Sequence, residues 1–114
     1  MSECLFCKIV ERTIPAALVY EDDLVVAFDD INPQAPTHTL VIPRKHVVSI
    51  AELQDVDAGL LGHLMLAGNK IAKLKGITDT GYRFVVNTGT HGGQTVFHLH
   101  LHVLGGRHMA WPPG

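Results

Sequence analysis

No run of about 18 consecutive apolar residues occurs in this chain, which excludes a membrane-spanning helix on hydropathy alone. The N-terminus lacks a charged, then apolar, then small-residue pattern, so no signal peptide is expected and the default location is cytoplasmic. Basic residues are scarce: Lys and Arg number 9 against 11 acidic residues, for a net charge of −2. No basic run is longer than Pro43-Arg44-Lys45-His46, which argues against binding nucleic acid through charge. With only 2 cysteines there is no disulfide framework. No internal repeat or low-complexity segment interrupts the 114 residues, and one domain spanning 1–114 is expected.

What the chain does have is histidine. His98-Leu99-His100-Leu101-His102-Val103-Leu104 places three of the 8 histidines within five residues. Strand side chains alternate with period two, so this stretch read as a strand puts three imidazoles on one face and Leu99, Leu101 and Val103 on the other. Neighbouring rings would stand roughly 7 Å apart along the strand. Imidazole serves near neutral pH as base, acid, nucleophile or metal ligand, and three together are not a packing solution.

The remaining pattern predicts an α+β fold. A short helix is expected over Leu5–Glu11, starting near Ser2 or Glu3 and ended before Pro15. Strand-like runs follow at Ala17–Tyr20 and Leu24–Phe28 around an acidic turn, and at Thr37–Pro43. Apolar periodicity from about Val56 to Lys75 predicts a long helix, with Leu60, Leu64, Ala67, Ile71 and Leu74 on one stripe. Gly59, Gly62 and Gly68 weaken that helix, which makes sense where another backbone approaches, and the breadth of its apolar face suggests a partner subunit. Gly81–Asn87 and the histidine stretch supply two more strands. No βαβ alternation appears, so the five strands form an antiparallel sheet, with the helices packed to one side. Between the last two strands lies a glycine-rich loop whose backbone N–H groups suit an anion.

The histidine stretch, together with Asp30–His38, Leu61-Gly62-His63-Leu64-Met65, Asn87, Gly92-Gly93-Gln94 and the tail Leu104–Gly114, resembles the histidine-triad (HIT) superfamily, and most closely its Hint branch of purine nucleoside phosphoramidases. The resemblance implies a homodimer in which two five-stranded sheets, each with one long and one short helix, join into a continuous ten-stranded sheet. It implies hydrolysis of phosphorus–nitrogen bonds in purine nucleoside 5′-phosphoramidates through a nucleotidyl-histidine intermediate. His100 matches the nucleophile, with His98 supplying the carbonyl that orients it. His102 matches a phosphate contact, and His38 a fourth histidine relaying protons. Asn87, Gly93, Gln94 and Thr95 match the phosphate side, with threonine where serine is common. Leu5, Phe6, Ile9, Ile14, Phe28 and Ile31 match the nucleoside pocket, Asp30 the ribose contact, and Trp111 a residue reaching toward the partner's site.

In some bacterial-type members a structural zinc sits on a CxxC pair and two histidines, here Cys4, Cys7, His46 and His98, a set suited to tetrahedral zinc. Other members lack the cysteines, so no cofactor is required for catalysis. His63, His91 and His108 are expected to be surface or packing residues. Three other readings remain: a dinucleoside polyphosphate hydrolase with the same triad, a purine-nucleotide-binding regulatory module without turnover, and a metal-binding protein using all three strand histidines, which would leave the nucleotide-pocket features without a purpose.

Overall fold

The computed structural model describes residues 3–114. Five antiparallel strands form one sheet: β1 (Leu18–Glu21), β2 (Val25–Asp29), β3 (Thr37–Pro43), β4 (Tyr82–Val85) and β5 (Leu101–Gly105), in the order β1-β2-β3-β5-β4. Two α-helices complete the fold, α1 (Leu5–Val10) and α2 (Ala58–Leu74), with single 3₁₀ turns at Ile50–Glu52 and Asp55–Asp57. Ser2 lies outside the described residues. Cys4 caps α1, its sulfur accepting the Cys7 N–H at 3.4 Å. No helix among the described residues is long and apolar enough to cross a membrane.

Period-two alternation divides the apolar residues between the two faces of the sheet. Val25, Ala27, Val41, Leu101 and Val103 pack with Leu64, Ala67, Ile71 and Ala72 of α2. Val26, Phe28, Leu40 and Ile42 pack instead with Phe6 and Ile9 of α1. The helices therefore cover opposite faces, contrary to the expectation that both lie on one side. The reason is that β3 is buried along its whole length, so both of its faces require cover. Six residues of α1 cannot cover a face that the 17 residues of α2 cover on the other side, and the shortfall becomes a cavity.

Three further expectations change. Residues 96–98 form a bend and β5 begins only at Leu101, so His98 and His100 precede the ladder. Their segment is nonetheless anchored, with Leu99 N–H donating to the Val47 carbonyl at 2.6 Å, and Leu99 still points into the α2 core. Leu74, expected on the buried stripe, is 64% exposed, as is Leu66 at 62%. The helix glycines are not sites of backbone approach within the chain. A Cβ on Gly68 would lie 2.7 Å from the Phe84 ring and 2.9 Å from Leu101, both side chains, while Gly59 and Gly62 have nothing within 4 Å.

Candidate active site

The cavity on the α1 face has a volume of about 460 Å³, in the range of small-molecule sites. Leu5, Phe6, Ile9, Ile14, Phe28, Ile31 and Asp30, all anticipated as nucleoside contacts, line it, and so do His38, His100, His102 and Thr95. The sequence reading missed Pro15, Ala16, Asp29, Asn32, Gln34, Leu40 and Val96. Leu40 alternates with residues of the α2 core and carried a period-two signal. Asp29 ends β2, and the others sit in irregular segments, where nothing in the pattern marks a wall.

His100 is 6% exposed, and its Nδ1 lies 2.7 Å from the main-chain carbonyl of His98. A carbonyl only accepts, so Nδ1 carries the proton and Nε2 keeps a bare lone pair. Phe6 stands edge-on to this ring, with centroids 5.1 Å apart. The His100 and His102 rings are 4.9 Å apart, closer than the spacing along a flat strand. His38, on β3 beside β5, places Nε2 2.9 Å from His102 Nδ1 and 3.5 Å from Asp30 Oδ2, while its Nδ1 accepts the Gln34 main-chain N–H at 3.0 Å.

Burial pushes the pKa values of His38, His98, His100 and His102 below the ordinary histidine value. For His100 the His98 carbonyl and Asp30 work against that shift. For His102, burial with the adjacent His100 and His38 prevails over Asp30 and takes it down to about 4. The cluster is therefore uncharged at neutral pH, which leaves nitrogen lone pairs available for chemistry.

The glycine-rich loop is held by Gln94. Its side-chain oxygen accepts from Gly89 N–H at 2.9 Å, and its Nε2 donates to the carbonyls of Val48 at 2.6 Å and Val96 at 3.1 Å. Gln94 is 4% exposed and sits under the loop, outside the cavity lining. Asn87 and Gly93 also lie outside that lining, near each other. Trp111 is 81% exposed and stacks over the Arg83 guanidinium at 6.0 Å, away from the cavity of its own chain.

A second cluster adjoins the first. Cys4 Sγ lies 3.4 Å from His98 Nδ1, and Cys7 Sγ lies 3.2 Å from His46 Nδ1 and 3.5 Å from His98 Nδ1. The two ring nitrogens are themselves 3.2 Å apart, and all four donor atoms fall within 4.8 Å of one another. Ordinary bond lengths in tetrahedral zinc give S···N edges of about 3.6 Å and N···N edges of about 3.3 Å, so the four residues fit that ion. His98 Nε2 donates to the Pro43 carbonyl at 2.9 Å, which leaves its Nδ1 bare and oriented as a ligand. His63, by contrast, is a packing residue, its Nε2 bonded to Asp22 Oδ2 at 2.8 Å.

Comparison with known proteins agrees with this geometry. The family model for the HIT domain matches residues 11–109. An uncharacterized HIT-like protein of Synechococcus elongatus is 56% identical over 115 residues, covering 100% of both chains. Among solved structures, a HIT family hydrolase from Legionella pneumophila superposes with a TM-score of 0.96 at 51% identity, covering 98% of this chain and 100% of that one. A histidine triad protein from Clostridium difficile gives a TM-score of 0.93 at 46% identity, covering 96% of each.

Proposed function

This chain belongs to the HIT domain family, and from that premise we propose that it is a Hint-type hydrolase that cleaves the phosphorus–nitrogen bond of purine nucleoside 5′-phosphoramidates. The observation that carries the reading is the His100 ring, with Nδ1–H committed to the His98 carbonyl and Nε2 bare on a residue lining the cavity. Imidazole in this tautomer is a nucleophile at neutral pH and needs no stronger base.

In the first step, Nε2 bonds to phosphorus and the P–N bond of the substrate breaks. The electron pair leaves with the amine, which takes a proton from water in the open cavity. Positive charge then develops on His100, and the short bond from its Nδ1–H to the His98 carbonyl stabilises it. In the second step, water attacks phosphorus and displaces Nε2, releasing the nucleoside monophosphate and a proton. The apolar walls from Phe6, Ile9 and Phe28 suit a purine base, and Asp30 at the cavity edge suits the ribose hydroxyls. Asp30 Oδ1 already accepts from Asn32 N–H at 2.8 Å, which fixes the carboxylate for that task.

The same reading includes zinc on Cys4, Cys7, His46 and His98. When bound, it supplies a closed structural cross-link rather than chemistry of its own. Those residues would tie α1, and with it the cavity wall from Leu5 to Ile9, to the segment carrying His98. The reading also includes a homodimer with the β4 edges joined into a ten-stranded sheet. Support comes from the position of β4 at the sheet edge, from exposed Leu66 and Leu74 on α2, and from Trp111 standing clear of its own cavity.

Hydrolysis of adenosine 5′-phosphoramidate measured beside that of a diadenosine polyphosphate tests the substrate class. Preferred cleavage of the phosphoramidate is expected. Preference for the polyphosphate would move the protein to another branch of the family. Nucleotide binding without turnover of either would make it a binding module.

A further inference from the structure

His102 Nε2 is a buried polar atom with no hydrogen-bond partner among the described residues, on a ring that lines the cavity beside the nucleophile. Whether it is a donor or an acceptor decides what it does to substrate, and the hydrogen bonds behind it answer that. The Gln34 main-chain N–H can only donate, so His38 Nδ1, 3.0 Å away, must be bare. A neutral imidazole with Nδ1 bare carries its proton on Nε2. His38 Nε2–H therefore faces His102 Nδ1 at 2.9 Å, and two protons cannot share that gap, so His102 Nδ1 is bare in turn. The proton of His102 is then on Nε2. Asp30 Oδ2, 3.5 Å from His38 Nε2, also favours a proton on that nitrogen.

We propose that the main-chain N–H of Gln34 is a positioning group that fixes the protons of the phosphate side, holding His38 as an Nε2–H ring and, through it, His102 as an Nε2–H donor for a phosphoryl oxygen. Gln34 is well placed for this, because its carbonyl is pinned from the other side by Arg107 Nε at 3.0 Å. Two consequences follow from the same ladder. Protonating His38 on Nδ1 would set two N–H groups against each other, so His38 acts through its Nε2–H, and any proton it relays to His102 passes through that atom. A metal ion on Asp30, His38 and His102, whose donor atoms also lie within 4.8 Å of one another, would have to strip His38 of its only ring proton. The ladder thus works against a metal ion on this cluster, whereas the neighbouring cysteine–histidine cluster has its lone pairs converging.

The role toward a phosphoryl oxygen rests on the phosphoramidase reading, but the proton positions do not and can be measured without substrate. The experiment is two-bond 15N–1H correlation on the 15N-labelled full-length protein at neutral pH, with trans-hydrogen-bond 15N–15N coupling. Expected are a protonated Nε2 and bare Nδ1 on both His38 and His102, and a coupling between the Gln34 amide nitrogen and His38 Nδ1. A protonated Nδ1 on either ring, or a missing Gln34–His38 coupling, overturns the inference. Gln34→Ala keeps the amide and should keep both tautomers. Gln34→Pro removes the N–H and should abolish the coupling and bring Nδ1–H forms into exchange on both rings. A folded Gln34→Pro protein with unchanged tautomers would overturn the amide's role, and should that variant not fold, the wild-type coupling decides. The expected tautomers in a protein that fails to cleave phosphoramidates would leave this inference standing and refute the reaction instead.

Discussion

Two groups of imidazoles sit against each other on the α1 side, and residues only two apart in sequence fall into different ones. His98 belongs with Cys4, Cys7 and His46, while His100 belongs with His38 and His102. The residues are chemically identical; their carbonyl partners are not. His98 gives its Nε2–H to Pro43 and is left with Nδ1 as the free lone pair, whereas His100 gives its Nδ1–H to His98 and is left with Nε2. A main-chain carbonyl chooses the tautomer, and in the proposed reading the tautomer separates a zinc ligand from a nucleophile. His98 joins the two clusters, its ring in one and its carbonyl in the other.

Replacing the proposed nucleophile should produce the largest effect. His100→Ala should lower kcat by about 10⁴-fold or more while retaining nucleotide binding, measured by steady-state turnover beside equilibrium titration. Breaking the other cluster should act on stability instead. Metal analysis should give one zinc per chain in the wild type and none in Cys7→Ala, and loss of zinc should cost about 4 kcal/mol where free zinc stands near 1,000 times its Kd. Turnover should fall far less than in His100→Ala. Leu101→Ala, on the opposite face of the same strand, should cost about 3 kcal/mol in denaturant unfolding while leaving the cysteine–histidine cluster and its zinc content unchanged. Gln94→Ala removes three bonds from the glycine-rich loop and should cost about 2 kcal/mol, read the same way.

Acidity should have the mildest effect near neutrality. His38 and His102 both titrate below the ordinary histidine value in the folded protein, His102 at about 4. The unfolded chain takes up these protons first as pH falls through about 6.5, so it is favoured on acidification. Unfolding midpoints should be level above that pH and decline progressively toward pH 4. A stability that rises over that interval would contradict the burial of neutral rings.

Much of the site was legible because its signals are local. The alternation of His98, His100 and His102 with Leu99, Leu101 and Val103 survives in the fold even though β5 begins only at Leu101, since the bend before it preserves the alternation of sides. β3 appears with the expected bounds, and all seven predicted nucleoside contacts line one cavity. What the sequence did not reveal depends on partners distant along the chain or on the main chain itself. That α1 and α2 cover opposite faces follows from β3 being buried on both, which periodicity within either helix does not encode. Gln94 looked like a phosphate contact by its place in the loop, yet its amide is taken up by Gly89, Val48 and Val96. The contribution of Gln34 is a backbone N–H, which any residue but proline would offer.

The most direct test of the account is to quench the wild-type protein during turnover of adenosine 5′-phosphoramidate and locate the modified residue by mass spectrometry. The account predicts an adenylyl group on His100 Nε2 and on no other histidine. An adduct on His102 or His38, or turnover that continues in His100→Ala, would contradict it.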